Sequence, residues 1–596
     1  MLGFQVVLRN MRVATNLTIL YICIFLEFLQ VSAASQNFVV PWSNRRFGPD
    51  GPWQAVNIQV GGYTTDRLLG VQNVSTLSVY PGGSYQSMTF TASACENFSS
   101  STCGAGGFWE PDLLHGNQTR IEWPASWIDD TYGIQVENAQ SIVLGLTING
   151  TTVWNATLAS ASSGNVTYPD GRVGPVTLGH LALGGETIAQ DFVLGSEASQ
   201  TIVASTFSGQ LFESRIIPSY SYSLHIGSAM FNYPGSLVFG GYNKGRVIGP
   251  VTYFANESAL GLLDISIGVA SGNSPFNFTN KDKFLSTGRT IVSPDPLSPY
   301  IALPRQTCEN LANVLPVVFD EILGYYLWNT YDPNFEIVVT SAAYLGFSFP
   351  PNSDSDEAVV IKVPFALLNL TLDTPITNAP VQYFPCTPYD TSTPVLGRAF
   401  LQAAFIGRNW ETQTSWIAQA PGPGMRQGRP GQERSQGLGE ENIDIPEKAT
   451  KIEGYTGSEW FTKSWEGQWS LEESLKGSGM TNTPLISSGT YSAGDGLSVA
   501  GISVGVAFGV IALVAALFSL RKGLAKKRAS SSHHQREKLT ESHRIYEASN
   551  NNGPMAELSQ GPKYLAADLP HPQQYSELPR SQQDPVELGD TAVRNS

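Results

Sequence analysis

The chain has 596 residues, a formal net charge of −15 and only 14% charged residues. Its length exceeds what one compact lobe uses, and an acidic balance with a pI near 5.0 argues against nucleic acid as a partner. Few charges with abundant Gly, Ser, Thr and aromatics mark an extracellular β-rich protein and exclude a cytosolic helical one.

At the N-terminus, Arg9 and Arg12 precede an apolar run from Leu17 to Leu29, and Val31-Ser32-Ala33 offers small residues for cleavage. A signal peptide over 1–33 is expected; the alternative, a retained anchor, suits the short run less well. Cys23 lies within it. Cys95, Cys103, Cys308 and Cys386 remain, an even number that implies disulfides in a secreted chain. Spacing alone does not determine the pairing; the simplest choice is local, Cys95 with Cys103 and Cys308 with Cys386. No Cys-x-x-Cys occurs, and His115, His180 and His225 are scattered without ligand spacing, so neither a metal nor a cofactor is expected. Asn-x-Ser/Thr sequons stand at Asn73, Asn97, Asn117, Asn149, Asn155, Asn165, Asn256, Asn277 and Asn369, with none beyond. Their crowding marks a glycosylated ectodomain.

From Trp53 to about Ala420, short alternating apolar runs are broken by Gly, Pro, Asn and Asp. Ala55–Val60, Ser141–Leu146, Val176–Leu178 and Ser236–Phe239 are examples, and they predict an all-β domain. One helix is predicted over Arg305–Glu321, kinked or split by Pro316. Residues 421–496 read as a linker or stalk, Gly-, Pro- and Gln-rich at its start and without a period. Within it, Trp460, Trp465 and Trp469 suit docking on the ectodomain, lying in a membrane interface, or a functionless patch. Leu497–Leu520 is uncharged and long enough to span a bilayer. Arg521, Lys522, Lys526, Lys527 and Arg528 follow it, so the tail is expected inside. The tail, 521–596, has a disordered composition; Tyr575-Ser-Glu-Leu578 has the shape of a signal for sorting adaptors.

The stretch that carries chemistry is Thr290-Ile-Val-Ser-Pro-Asp295-Pro-Leu-Ser-Pro-Tyr-Ile-Ala-Leu-Pro304. A strand runs into an acid, a turn follows, and a second strand leaves. With Val56–Gly61, Tyr168-Pro-Asp-Gly171, Leu181–Gly185, Tyr222–Leu224, Gly235–Gly241, Pro394–Leu401 and Trp416–Ala418 in order, the chain resembles the pepsin-like aspartic peptidases over Trp53–Ala420. That resemblance implies a bilobal fold, with lobes at 34–235 and 236–420. It implies a flap carrying Tyr168 and Gly171, a Cys308–Cys386 disulfide, and Asp295 as the second catalytic acid.

Two departures stand at the chemistry. The first active loop should offer Asp-Thr-Gly-Ser, but Gln72–Ser84 places Val79 or Tyr80 there, depending on register. The acid usual after Leu-Gly is Arg398. Asp66, Asp112, Asp129 and Asp130 read as solvated loop carboxylates, and no Gly-x-Ser-x-Gly elbow occurs in residues 34–420. The family's reaction needs two carboxylates sharing a proton. The expectation is a single-span membrane protein of the plasma or vacuolar membrane whose ectodomain is inactive and binds an extended peptide, wall or protein ligand in its inter-lobe groove. The alternatives are an active endopeptidase resembling fungal surface proteases, and a structural surface glycoprotein.

Overall fold

The computed structural model describes residues 35–61, 74–83, 86–98, 102–110, 120–122, 127–129, 134–193, 201–255, 260–351, 357–389, 393–426, 441–457 and 459–469. The expected signal peptide, the 497–520 span and the tail with Tyr575 and Leu578 lie outside these residues. So do Asn73, Asn117, Asn256, Asp66, Asp112, Asp130 and His115. Among the described residues no helix is long and apolar enough to cross a membrane.

Alternation sets the strands. In Val56–Val60, Val56, Ile58 and Val60 are wholly buried while Gln59 faces out, as a period of two requires on a one-faced sheet. The strand pairs antiparallel with Ser75–Pro81, Val56 opposite Val79. Both belong to an eleven-stranded sheet of the first half. The same sheet holds a long hairpin of Ile134–Ile148 and Thr151–Thr167. It turns at Asn149-Gly150, both at positive φ, the pairing that two-residue hairpin turns favour. The second half forms three four-stranded sheets. The expected Val176–Leu178 strand is displaced; the strand there is Val173–Pro175.

A six-stranded antiparallel sheet joins the halves. Its order is Phe38–Val40, Tyr233–Phe239, Ser221–Ser228, Ala404–Asn409, Thr414–Gln419, Ile248–Phe254. The expected lobe boundary at residue 235 therefore falls inside a strand. The disulfides are Cys95–Cys103 and Cys308–Cys386. Cys308 sits on a helix limited to Arg305–Ala312. Beyond Pro316 the chain is a strand, Val317–Asp320, because proline offers no N–H to continue the helix.

The linker expected over 421–496 is corrected at 441–469. Asn442–Asp444 pairs with Gly241–Asn243, and Ile445 and Ile452 are buried. Trp465 and Trp469 stack 6.0 Å apart at 8°, and Trp465 meets Phe231 edge-on at 5.5 Å. Of the three fates considered for these tryptophans, docking on the ectodomain is the one observed for Trp465 and Trp469. Sequon residues Asn97, Asn149 and Asn277 are exposed, while Asn165 and Asn369 are half-buried.

Candidate functional site

Asp295 sits on a crossing of three strands. Ser293–Pro294 runs parallel to Val395–Leu396, and Ile301–Leu303 returns antiparallel to it. The third strand thus threads between the outgoing and returning chain. The Ser293 N–H donates to Pro394 O at 3.0 Å and the Asp295 N–H to Leu396 O at 3.2 Å. Asp295 is half-buried, and its Oδ1 accepts the Leu297 N–H at 2.9 Å, an Asx turn that holds the loop.

The first half repeats the crossing. Ser75–Pro81 runs parallel to His180–Leu181, which pairs antiparallel with Ser87–Phe90. The Tyr80 N–H donates to Gly179 O at 2.9 Å and the Gly82 N–H to Leu181 O at 3.0 Å. Matching these bonds places Tyr80 on Ser293, Pro81 on Pro294 and Gly82 on Asp295. The expectation of Val79 or Tyr80 at the first acid's place is corrected: the residue is Gly82. Val79 pairs with Val56 in the core. The shift arises because this loop is one residue shorter between the matched points, Gly82 to Met88 against Asp295 to Ala302, and sequence had no acid to anchor the register.

Gly82 has no room for a side chain. A Cβ there would lie 2.7 Å from both Cγ and Cδ2 of Leu297 and 3.1 Å from Pro296 Cγ. Arg398 holds Leu297 in place. Buried at 6% exposure, it donates from Nη1 to Pro296 O at 3.2 Å and to Leu297 O at 2.7 Å. Its guanidinium lies 4.2 Å from the Tyr80 ring centre and 5.1 Å from that of Trp53. A guanidinium stays protonated and only donates, so it pins the loop and carries no proton.

Beside the crossings lies a chamber lined by residues that include Asp50, Tyr80, Tyr168, His180, Leu297, Tyr300 and Arg398; Asp295 is not among its walls. Asp50 escaped the sequence reasoning. It stands in Phe47-Gly-Pro-Asp-Gly-Pro-Trp53, which reads as a turn, and no spacing ties it to Asp295. Its Oδ1 accepts the Trp53 indole N–H at 2.7 Å. Burial, with the Asp50 charge nearby, pushes the phenols of Tyr168, Tyr300, Tyr325 and Tyr383 up, so all stay protonated donors. Tyr300 and Tyr325 share a hydrogen bond of 2.8 Å, and Tyr383 donates to Asp50 O at 2.6 Å. Burial pulls His180 down to about 4; its Nε2 is 3.0 Å from Gln86 O. His225 is likewise buried, its Nε2 2.9 Å from Gln402 O.

Tyr168 and Gly171 do form a turn, between Thr151–Thr167 and Val173–Pro175. The Gly171 N–H donates to Tyr168 O at 2.8 Å, and Gly171 adopts φ +80, open to glycine. The turn bridges to the second half. Arg172 pairs with Asp170 and donates to Ile376 O at 2.9 Å. The Pro169–Asp170 backbone approaches so close to Gly324 that a Cβ there would lie 2.9 Å from Pro169 C.

No family model matches the chain. The aspartic proteinase sxa1 of Schizosaccharomyces pombe is 24% identical over 237 residues, covering 38% of this chain and 41% of that protein. The chain therefore matches well under two thirds of that relative's length. This likeness to an aspartic proteinase supports the resemblance to the pepsin-like aspartic peptidases. A solved aspartic proteinase from Irpex lacteus matches 64% of this chain and 97% of its own, at 14% identity and a TM-score of 0.39.

Proposed function

We propose that this chain is a membrane-tethered, pepsin-like ectodomain that has lost peptidase activity and binds a ligand without cleaving it. The observation that carries this is Gly82 in the place matched to Asp295, with Leu297 filling the space an acid would need. In the two-carboxylate mechanism one group is ionised and takes a proton from water, while the other, protonated, polarises the scissile carbonyl. Their crowding splits the two pKa values so that both states coexist. A lone carboxylate performs one of these steps, and each general acid–base step is worth orders of magnitude in rate. Arg398 beside the loop replaces an acid with a permanent donor. The tether is the Leu497–Leu520 run with its basic flank, and the tail motif at Tyr575 and Leu578 addresses sorting adaptors in the secretory pathway.

The test incubates the purified ectodomain, ending after Trp469, with an unfolded protein between pH 3 and 6. The expected result is no specific cleavage, identical for the wild type and Asp295→Asn. Cleavage that disappears in Asp295→Asn overturns the proposal, and cleavage that disappears in Asp50→Asn as well would name the second acid.

A further inference from the structure

The chamber beside the two crossings has a composition that loss of catalysis does not explain. It is a cavity of about 50 Å³, room for a few waters or one ring-sized group. One part of its wall is apolar, formed by Met88, Phe90 and Leu178. Set in the rest are polar atoms without protein partners. Tyr168 Oη and Arg398 Nε are buried and carry no hydrogen bond among the described residues. Asp50, itself 6% exposed, accepts the Trp53 indole N–H on one carboxylate oxygen and stands on the same wall.

Buried polar atoms left unpaired cost about 1–3 kcal/mol each, so Tyr168 Oη and Arg398 Nε on one small chamber mark a place for something that pairs them. Both are donors, and the Asp50 carboxylate on the same wall is an acceptor. One negative and one positive charge, Asp50 and Arg398, balance, so the chamber selects neither an anion nor a cation. We infer that it binds a small neutral amide, its carbonyl oxygen accepting from Tyr168 and Arg398, its N–H donating to Asp50, and its apolar body lying on Met88, Phe90 and Leu178. Such a site needs neither Asp295 nor a second acid, and stands whether or not the protein cleaves peptides.

Benzamide is the probe. Titrated into the purified full-length chain and followed by ligand-observed NMR, it binds saturably. Toluene, with the same ring and no amide, binds at least tenfold more weakly, and benzoate binds more weakly because it has no N–H for Asp50 and adds a charge to a site whose own charges balance. Tyr168→Phe removes one hydroxyl and weakens benzamide about tenfold while leaving toluene unchanged. Equal binding of benzamide and toluene overturns the inference, as does unchanged benzamide binding in a folded Tyr168→Phe protein, or no saturable binding at millimolar benzamide. Should Tyr168→Phe fail to fold, the wild-type ranking of the three probes decides.

Discussion

The two crossings share a backbone and differ in nearly every side chain that matters. Both thread a third strand between an outgoing and a returning one, with the same pair of hydrogen bonds. Yet the matched positions hold Gly82 and Asp295, His180 and Val395, and, two residues past the matched leucines, Leu183 and Arg398. Main-chain hydrogen bonds depend on the path of the chain, and any residue supplies them. Catalytic chemistry depends on particular side chains at particular atoms, and nothing in the ladder maintains those. The ladder therefore sets no requirement on which side chains stand at Gly82 and Asp295.

The largest expected contrast comes from one substitution made on both sides. Arg398→Met strips donors from the Pro296 and Leu297 carbonyls and loosens the loop on Gly82. It should cost about 4 kcal/mol in urea unfolding, given two hydrogen bonds from a charged group. Leu183→Met, a volume-conserving swap at the matched place, should cost under about 1.5 kcal/mol. Equal costs would mean that the guanidinium does not pin the loop.

Acid separates the crossings next. His180 is held at about 4 by burial, below the ordinary value near 6.5. The unfolded chain thus binds a proton that the folded one refuses, and stability falls as pH drops from about 6.5 towards 4. The loss from this residue should reach about 3 kcal/mol, and His180→Val, which copies the second crossing, should remove it. His225, pulled to about 3 by burial and then by Arg246, keeps the remaining slope. Unfolding midpoints that are flat in both proteins from pH 7 to 4 would contradict this.

Gly82→Asp tests whether the first crossing can be restored. Collision with Leu297 should cost about 2 kcal/mol and yield no peptidase. Pairing it with Leu297→Gly clears the space, and acid cleavage by the double variant alone would identify Leu297 as the residue that keeps the two loops from meeting as a dyad. Smallest of all is Asp295→Asn. Asparagine keeps an acceptor for the Leu297 N–H, so stability should move by less than about 0.5 kcal/mol, measured by the same urea titration.

Some of this was legible in the residues. The alternation of Val56, Ile58 and Val60 is enough to make a one-faced strand, and the Asp295 stretch shows a strand, an acid and a returning strand without any fold in hand. The simplest, local choice of partners matches the disulfides Cys95–Cys103 and Cys308–Cys386. These features depend on neighbours in sequence, and a chain can be read for them. Gly82, Asp50 and the 441–469 segment depend on neighbours that sequence does not reveal. The place of Gly82 is defined by a hydrogen bond to Leu181, about a hundred residues away in the chain. Asp50 gains its meaning only once Tyr168, Tyr300 and Arg398 close around it. Ile445 and Ile452 show no period because the surface that buries them belongs to strands far upstream, which only the tertiary structure brings beneath them.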